Sequence, residues 1–376
     1  MTSLRTCKNP SVTKMICMSL VLCIVLYLIR YHVIFPKGTR IHEMLSKTKY
    51  SVLQVLFPKA TRVHEPFTKA TSSALLREQG SQRNGIPDVL TFGDNHWQHE
   101  NICKPYTMFL NHSDFLLLRY STNAGNVKIF THSLKDGMSL IISKSGAFEL
   151  TTINRVLYQL KKDPNMNLID IGTNIGQHAI AAAIIGRDSI AIDNAVSNIE
   201  HACASAEYLN IGSRITLIHN ILSDSGGKRM FRYSSTHTDF GVNHVDSDGI
   251  WDKMKKKFFE FNFGKTVQEN STTLDNILFL PQIQKFKKVF VKMDVEGHEH
   301  RVLLGAKQFF KRLDVHGIIM EWTWHVKRPS SEIIKTLMSE WNFQPYQFFE
   351  TTESDLSLKN SDLWPQDVLW LPKRVH

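Results

Sequence analysis

Cysteine is scarce in this sequence, with five in 376 residues. Cys7, Cys17 and Cys23 lie in or near an apolar leader, so only Cys103 and Cys203 remain in the body. That excludes a disulfide-built scaffold, and spacing alone does not say whether the two pair. A basic body is lacking too. The net charge is +10, but residues 1–70 hold eleven Lys and Arg against Glu43 and Glu65, which leaves +1 for the other 306 residues. Nucleic-acid-binding domains carry a basic surplus of their own, so no nucleic acid is expected as partner. The local cluster KMKKKFF, Lys253 to Phe259, reads as a solvated helix face. No GxGxxG dinucleotide fingerprint and no HExxH zinc motif occur.

Long apolar runs are represented by Met15 to Ile29, MICMSLVLCIVLYLI. As a helix this run spans about 22 Å, against a hydrocarbon core of roughly 30 Å. Extension to Phe35 completes a span if Arg30 and His32 snorkel. A cleaved signal peptide would need small residues just downstream, where the chain reads RYHVIFPK. The expectation is a single-pass type II membrane protein: a cytosolic tail (1–14), a transmembrane signal anchor (15–35) and a lumenal body in the Golgi or endoplasmic reticulum. Positive charges flank the run on both sides, so the positive-inside rule barely decides orientation. Asn111 and Asn270 open glycosylation acceptor triplets that suit a lumenal body. FPKGTRIHE (35–43) returns as FPKATRVHE (57–65), and residues 36–88 read as a duplicated stalk and linker, too few copies for a solenoid.

From Asp114 onward strands and helices alternate. A hairpin is expected about Asn123 to Asn126 in an N-terminal extension (89–150), and a helix over Phe148 to Leu160. The main domain (151–376) then offers strands at 167–171, 189–193, 215–222, 289–294, 317–322, 346–349 and 368–371. Helices are expected at 180–185, 196–209, 298–313 and 331–341, with a polar insertion at 225–270. This pattern predicts an α/β fold with a doubly wound, mostly parallel sheet covered on both faces, whose ligands lie beyond the carboxyl ends of the strands.

The first such end is NLIDIGTNIG, Asn167 to Gly176. Its glycines, Gly172 and Gly176, flank Asn174, and Asp170 stands two residues before. A carboxylate there repels a pyrophosphate and welcomes an ammonium. S-adenosylmethionine carries an ammonium and a sulfonium and no phosphate. Asp193 ends the next strand, where an acid accepts the ribose hydroxyls. A purely structural glycine turn is the competing reading. The two features together favour S-adenosylmethionine over a nicotinamide cofactor.

NLIDIGTNIGQHAIAAA, DNAVSNIEHACASAEYLN, TTLDNIL and VKMDVEGHEHRVLLGA, in this order, resemble the FkbM-type methyltransferase domain over about residues 140–325. The resemblance implies a class I methyltransferase fold and methyl transfer from S-adenosylmethionine to hydroxyls of sugars or natural products. It also implies that Asp170, Gly172, Asn174 and Gly176 line the methionine end, Asp193 the ribose, and Ser223 with Asp224 the neighbourhood of the adenine. The family usually has Glu-Pro where Asp193 and Asn194 stand, and a small residue where His298 stands.

Methyl transfer to an alcohol needs an aligned acceptor and removal of its proton. Asp294, Glu296, His298 and Glu299 cluster at a strand end and are the candidate catalytic residues; His298 is a natural base if it titrates near neutrality. In the plainer reading the carboxylates bond turn amides and His298 is incidental. Asp294 and Glu321 could share a hard cation, but a structural role is preferred and no metal is assigned. EWTWH, 321–325, could stack on a sugar or cover the core. The expected function is O-methylation of a glycan or another hydroxyl-bearing secretory acceptor. The alternative is a non-catalytic trafficking or cargo-binding protein on the same fold.

Overall fold

The computed structural model describes residues 85–233, 243–245 and 266–373. The anchor, the stalk with its duplication and the lysine cluster lie outside the described residues. Among the described residues no helix is long and apolar enough to cross a membrane.

The centre is a sheet whose inner strands, Met166–Ile171, Ser189–Asp193, Ile215–His219 and Lys288–Met293, bury nearly every side chain, as strands covered on both faces must. In chain order its strands are β1 (Asp88–Gly93), β2 (His96–His99), β5 (Met166–Ile171), β6 (Ser189–Asp193), β7 (Ile215–His219), β12 (Lys288–Met293), β13 (Asp314–Glu321), β14 (Phe343–Phe348), β15 (Glu353–Asp355) and β16 (Asp367–Pro372). A hairpin, β3 (Leu116–Thr122) with β4 (Gly125–Thr131), stands apart. So does a small sheet of β8 (Ile221–Leu222), β9 (Gly227–Tyr233), β10 (Asn243–Val245) and β11 (Thr266–Thr272). The helices are α1 (Gly137–Ser145), α2 (Leu150–Lys162), α3 (Gln177–Ile184), α4 (Val196–Tyr208), α5 (Leu274–Ile277), α6 (Glu299–Leu304), α7 (Lys307–Arg312) and α8 (Pro329–Glu340).

The main sheet runs β15-β14-β16-β13-β12-β5-β6-β7-β1-β2. The strands from β13 to β1 are parallel, and β16 pairs antiparallel with both β13 and β14. The chain leaves β5 toward β6 and β7, then returns to β12 on the other side. This reversal at the carboxyl ends of β5 and β12 is a topological switch point, where open α/β sheets bind their ligands.

Four expectations change. Residues 88–93 are not linker or extension alone: they form β1, which pairs parallel with β7 in the main sheet. The expected strand 215–222 breaks at Asn220, whose side chain bonds the backbone of Phe92 (2.6 Å to N, 3.1 Å to O) and the carbonyl of Asn270 (3.2 Å). The expected helix 298–313 is two helices, because Gly305 lets the carbonyl of Ser223 approach to 2.2 Å of where a Cβ would stand. The polar insertion contributes β9 to β11 of the small sheet. The hairpin stands where expected, its turn at Asn123 and Ala124, and it docks through Tyr120 OH to the Gln177 carbonyl (2.8 Å) and Phe130 N to Ser205 Oγ (2.8 Å).

Cys103 and Cys203 do pair, with Cα atoms 5.4 Å apart across 100 residues of sequence. A crosslink of that separation removes much of the unfolded chain's freedom. Cys203→Ala is expected to lower the unfolding free energy by about 2–4 kcal/mol. Urea melts with and without reductant check this, since the variant should lose all sensitivity to the reductant.

Candidate active site

The switch point is built from two loops that touch. Asp294 N donates to the Ile171 carbonyl (2.9 Å), and Lys292 Nζ donates to the Gly172 carbonyl (2.9 Å). Gly172 has φ +73°, and a Cβ there would stand 1.7 Å from the Asp294 carbonyl oxygen. Its need for glycine is therefore set by the neighbouring loop and not by a ligand alone. Gly176, φ +84°, precedes α3 and faces Ala202.

Asp170 is fully buried, and its Oδ2 accepts from Thr173 Oγ1 at 2.5 Å. Its Oδ1 and the Oδ1 of Asn174 are buried without hydrogen-bond partners among the described residues. Burial pushes the Asp170 carboxyl up, against the nearby Lys292 charge, the Thr173 bond and a bond from the Ala179 backbone amide. Asp193 turns back on the protein: Oδ2 accepts from Asn174 N (2.8 Å), and Oδ1 from Ala195 N (2.8 Å) and Asn198 Nδ2 (3.2 Å). Burial raises it too, opposed by those bonds. Asp193 thus fixes the glycine turn through its bond from Asn174 N.

Opposite, at the ends of β12 and β13, Asp294, Glu296, Glu299 and Glu321 converge. Glu299 is fully buried; Oε1 accepts from Val295 N (2.8 Å) and Oε2 pairs with His325 Nε2 (2.7 Å). The first bond closes the turn as the plainer reading expects. Glu296 occupies φ +54°. Burial, then the charges of Asp294 and Glu299, hold it well above the usual carboxylate range despite a bond from Trp324. Glu321 is pushed up to about 11 by burial and by Asp294, Glu296 and Glu299.

His298 does not join them. It is 5% exposed and its Nε2 meets Ser223 Oγ at 3.1 Å. Burial, with His300 and two arginines nearby, lowers it to about 3. The condition for a base poised near neutrality is not met. Asp224 is gripped by Arg301 and Arg229, each at 2.6 Å. Burial would raise it, but those guanidinium groups hold it below its ordinary value. Ser223 and Asp224 therefore form a polar brace with His298, beside the switch point. Of the aromatic stretch, Trp322 is core, bonded to the Ser361 carbonyl (2.8 Å) and packed on Trp364, whereas Trp324 lies at the acidic end beside Gly297.

Three further residues join the site that no sequence motif assigns to it. Lys292, 5% exposed, sits across β12 and β5 from Asp170 and 3.5 Å from Asp294 Oδ2. Burial disfavours its charge, yet Asp294, Asp170, Glu149 and Asp367 outweigh that and raise its pKa. Glu149, φ +54°, is raised to about 8 by burial and by Asp294. Asp367 is raised to about 7 by burial and Asp294. A lysine inside the apolar run VFVKM was a visible signal, since buried lysines need partners. Glu149 and Asp367 carried none, because only the tertiary fold brings them to Lys292. Glu149, Asn174 and Glu296 all hold positive φ at this end of the sheet, a strain that concentrates at functional sites.

At the switch point the glycine turn after β5 thus stands against the carboxyl groups that follow β12 and β13. Consistent with this, residues 170–345 match the Methyltransferase FkbM domain family. The match covers just under half of the chain and supports a methyltransferase as the enzyme class, with S-adenosylmethionine as cofactor. No curated protein matches the sequence significantly. Similar solved structures include an RNA methyltransferase from Salinibacter ruber in complex with S-adenosyl-L-homocysteine (12% identity, 60% of this chain and 93% of that one, TM-score 0.27). An O-methyltransferase from Bacillus cereus in complex with SAH (11%, 59% and 81%, 0.32) is another. A third is a SAM-dependent O-methyltransferase from Thermotoga maritima (9%, 78% and 96%, 0.31). At TM-scores this low the likeness carries no functional argument.

Proposed function

We propose that the protein O-methylates hydroxyls of glycans or another secretory-pathway acceptor, held by its N-terminal run in the Golgi or endoplasmic reticulum membrane with the domain in the lumen. The observation that carries the chemical part is the pair of orphaned acceptor oxygens, Asp170 Oδ1 and Asn174 Oδ1, beside the glycine turn. Acceptors without donors suit an ammonium and refuse a phosphate. The Cys103–Cys203 disulfide supports an oxidising compartment, and Asn111 is exposed as a glycosylated asparagine must be.

When bound, S-adenosylmethionine supplies a methyl group on a sulfonium. Asp170 and Asn174 would hold its amino acid end, and Asp193 the ribose. Asp294 and Glu296 line the wall an acceptor must approach, and Trp324 offers a ring for a sugar face. Lys292 ties the two walls together, so cofactor and acceptor sites keep one geometry. Proton removal falls to the carboxyl cluster rather than His298.

A pH dependence follows from Glu149. Held near 8, it is mostly protonated at pH 6.5 and ionised at pH 9. The charge it gains would favour the permanently charged sulfonium, so affinity for S-adenosylmethionine relative to S-adenosylhomocysteine, which shares the titrating amine but lacks the sulfonium, should rise about threefold or more across that interval. Titrations of Glu149→Gln should show no such rise. The acceptor reading is tested by incubating the full-length protein with methyl-labelled S-adenosylmethionine and glycans released from secreted glycoproteins. Label in O-methyl sugars is expected, and label confined to other acceptors contradicts it.

A further inference from the structure

The carboxyl wall contains more than an acceptor surface needs. We propose that Asp294, Glu299 and Glu321 form a binding site for a divalent hard cation. One ligand oxygen from each lies within 4.8 Å of the others. Convergence of acids does not by itself make a metal site. The independent observation is Glu321: it is 7% exposed, and although the side chain hydrogen-bonds Asp294, its Oε2 is left without a partner among the described residues. Burying such an oxygen is costly unless something satisfies it.

The three carboxylates come from separate rigid parts: the turn after β12, the first residue of α6 and the last residue of β13. Glu299 is already oriented by the Val295 amide and by His325, which in turn contacts Ser330 Oγ at 2.8 Å. An outer layer of this kind orients metal ligands elsewhere. The donor set is oxygen only, which selects magnesium, manganese or calcium over zinc or copper. One ammonium, Lys292, stands beside them, 3.5 Å from Asp294 Oδ2. Asp294 is the least buried of the three, so the open coordination positions would face the acceptor. The use of the cation to orient an acceptor hydroxyl rests on the O-methyl transfer proposed above; its binding does not.

The test is a Mn2+ titration of the full-length, chelator-treated protein, followed by the loss of the free-ion electron paramagnetic resonance signal. One bound ion per chain is expected, displaced by Mg2+ and weakened about tenfold or more in Glu321→Gln and in Asp294→Asn, each checked for folding by circular dichroism. A folded wild-type chain that leaves the free-ion signal untouched overturns the proposal, as does binding that both variants retain. S-adenosylmethionine titrated into the same sample separates the two readings: uptake of cofactor without Mn2+ removes only the metal site, and uptake of Mn2+ without cofactor removes only the transfer chemistry.

Discussion

Replacing Gly172 by alanine is expected to cost about 4 kcal/mol or more of stability and to abolish S-adenosylmethionine binding. Two effects combine. The backbone there holds φ +73°, where a side chain costs about 1–2 kcal/mol. The new Cβ would also meet the Asp294 carbonyl oxygen at 1.7 Å. Neither loop can retreat cheaply, because Lys292 Nζ and Asp294 N bond across the same gap. Gly186 is the control: it has φ +78° but nothing within 4 Å of an added Cβ. Gly186→Ala should therefore lose only the conformational part, about 1–2 kcal/mol. Equal losses in the two variants, measured by urea melts, would show that the loop contact contributes nothing.

Lys292→Met is expected to destabilise the fold by about 3–5 kcal/mol at neutral pH, the usual consequence of leaving buried charges unpaired. The sign of its pH dependence follows from the acids around it. Glu149 and Asp367 are already raised to about 8 and about 7, and loss of the ammonium raises them further. A carboxyl raised in the folded state favours folding most below its unfolded pKa near 4, and that contribution disappears as pH climbs through the folded value. The deficit of Lys292→Met against wild type should accordingly be small at pH 4.5 and grow toward pH 8. Urea melts at the two pH values decide; a deficit under about 1 kcal/mol that ignores pH would mean the lysine does not organise the cluster.

Much of the fold was legible because the parallel strands are short apolar runs. Ser189–Asp193 stands where the sequence put it, Asn167–Ile171 differs from β5 by one residue at its start, and Val289–Asp294 differs from β12 by one residue at each end. The place of β1 in the main sheet was hidden because its partner β7 lies 128 residues away, although its hairpin with β2 through Asp94 and Asn95 is local. The break at Gly305 was hidden because the reason for it, the Ser223 carbonyl, comes from another loop. In the site, Asp170 to Gly176 could be read as a turn, but not that Gly172 answers to Asp294. The motif around Asp294 could be read as acidic, but not that His298 swings to Ser223 while Glu149 and Asp367 come in from two other segments to meet Lys292. Local spacing carried the turn; long-range packing chose the residues that face it.

If the glycine turn beneath Asp170 holds S-adenosylmethionine, loss of that carboxylate must weaken binding. Calorimetric titration of S-adenosylmethionine and S-adenosylhomocysteine into the full-length protein, beside Asp170→Asn, tests it most directly. Micromolar binding of both ligands by the wild type, weakened at least about tenfold in the variant, is predicted. A folded wild-type protein that takes up neither ligand would contradict the account.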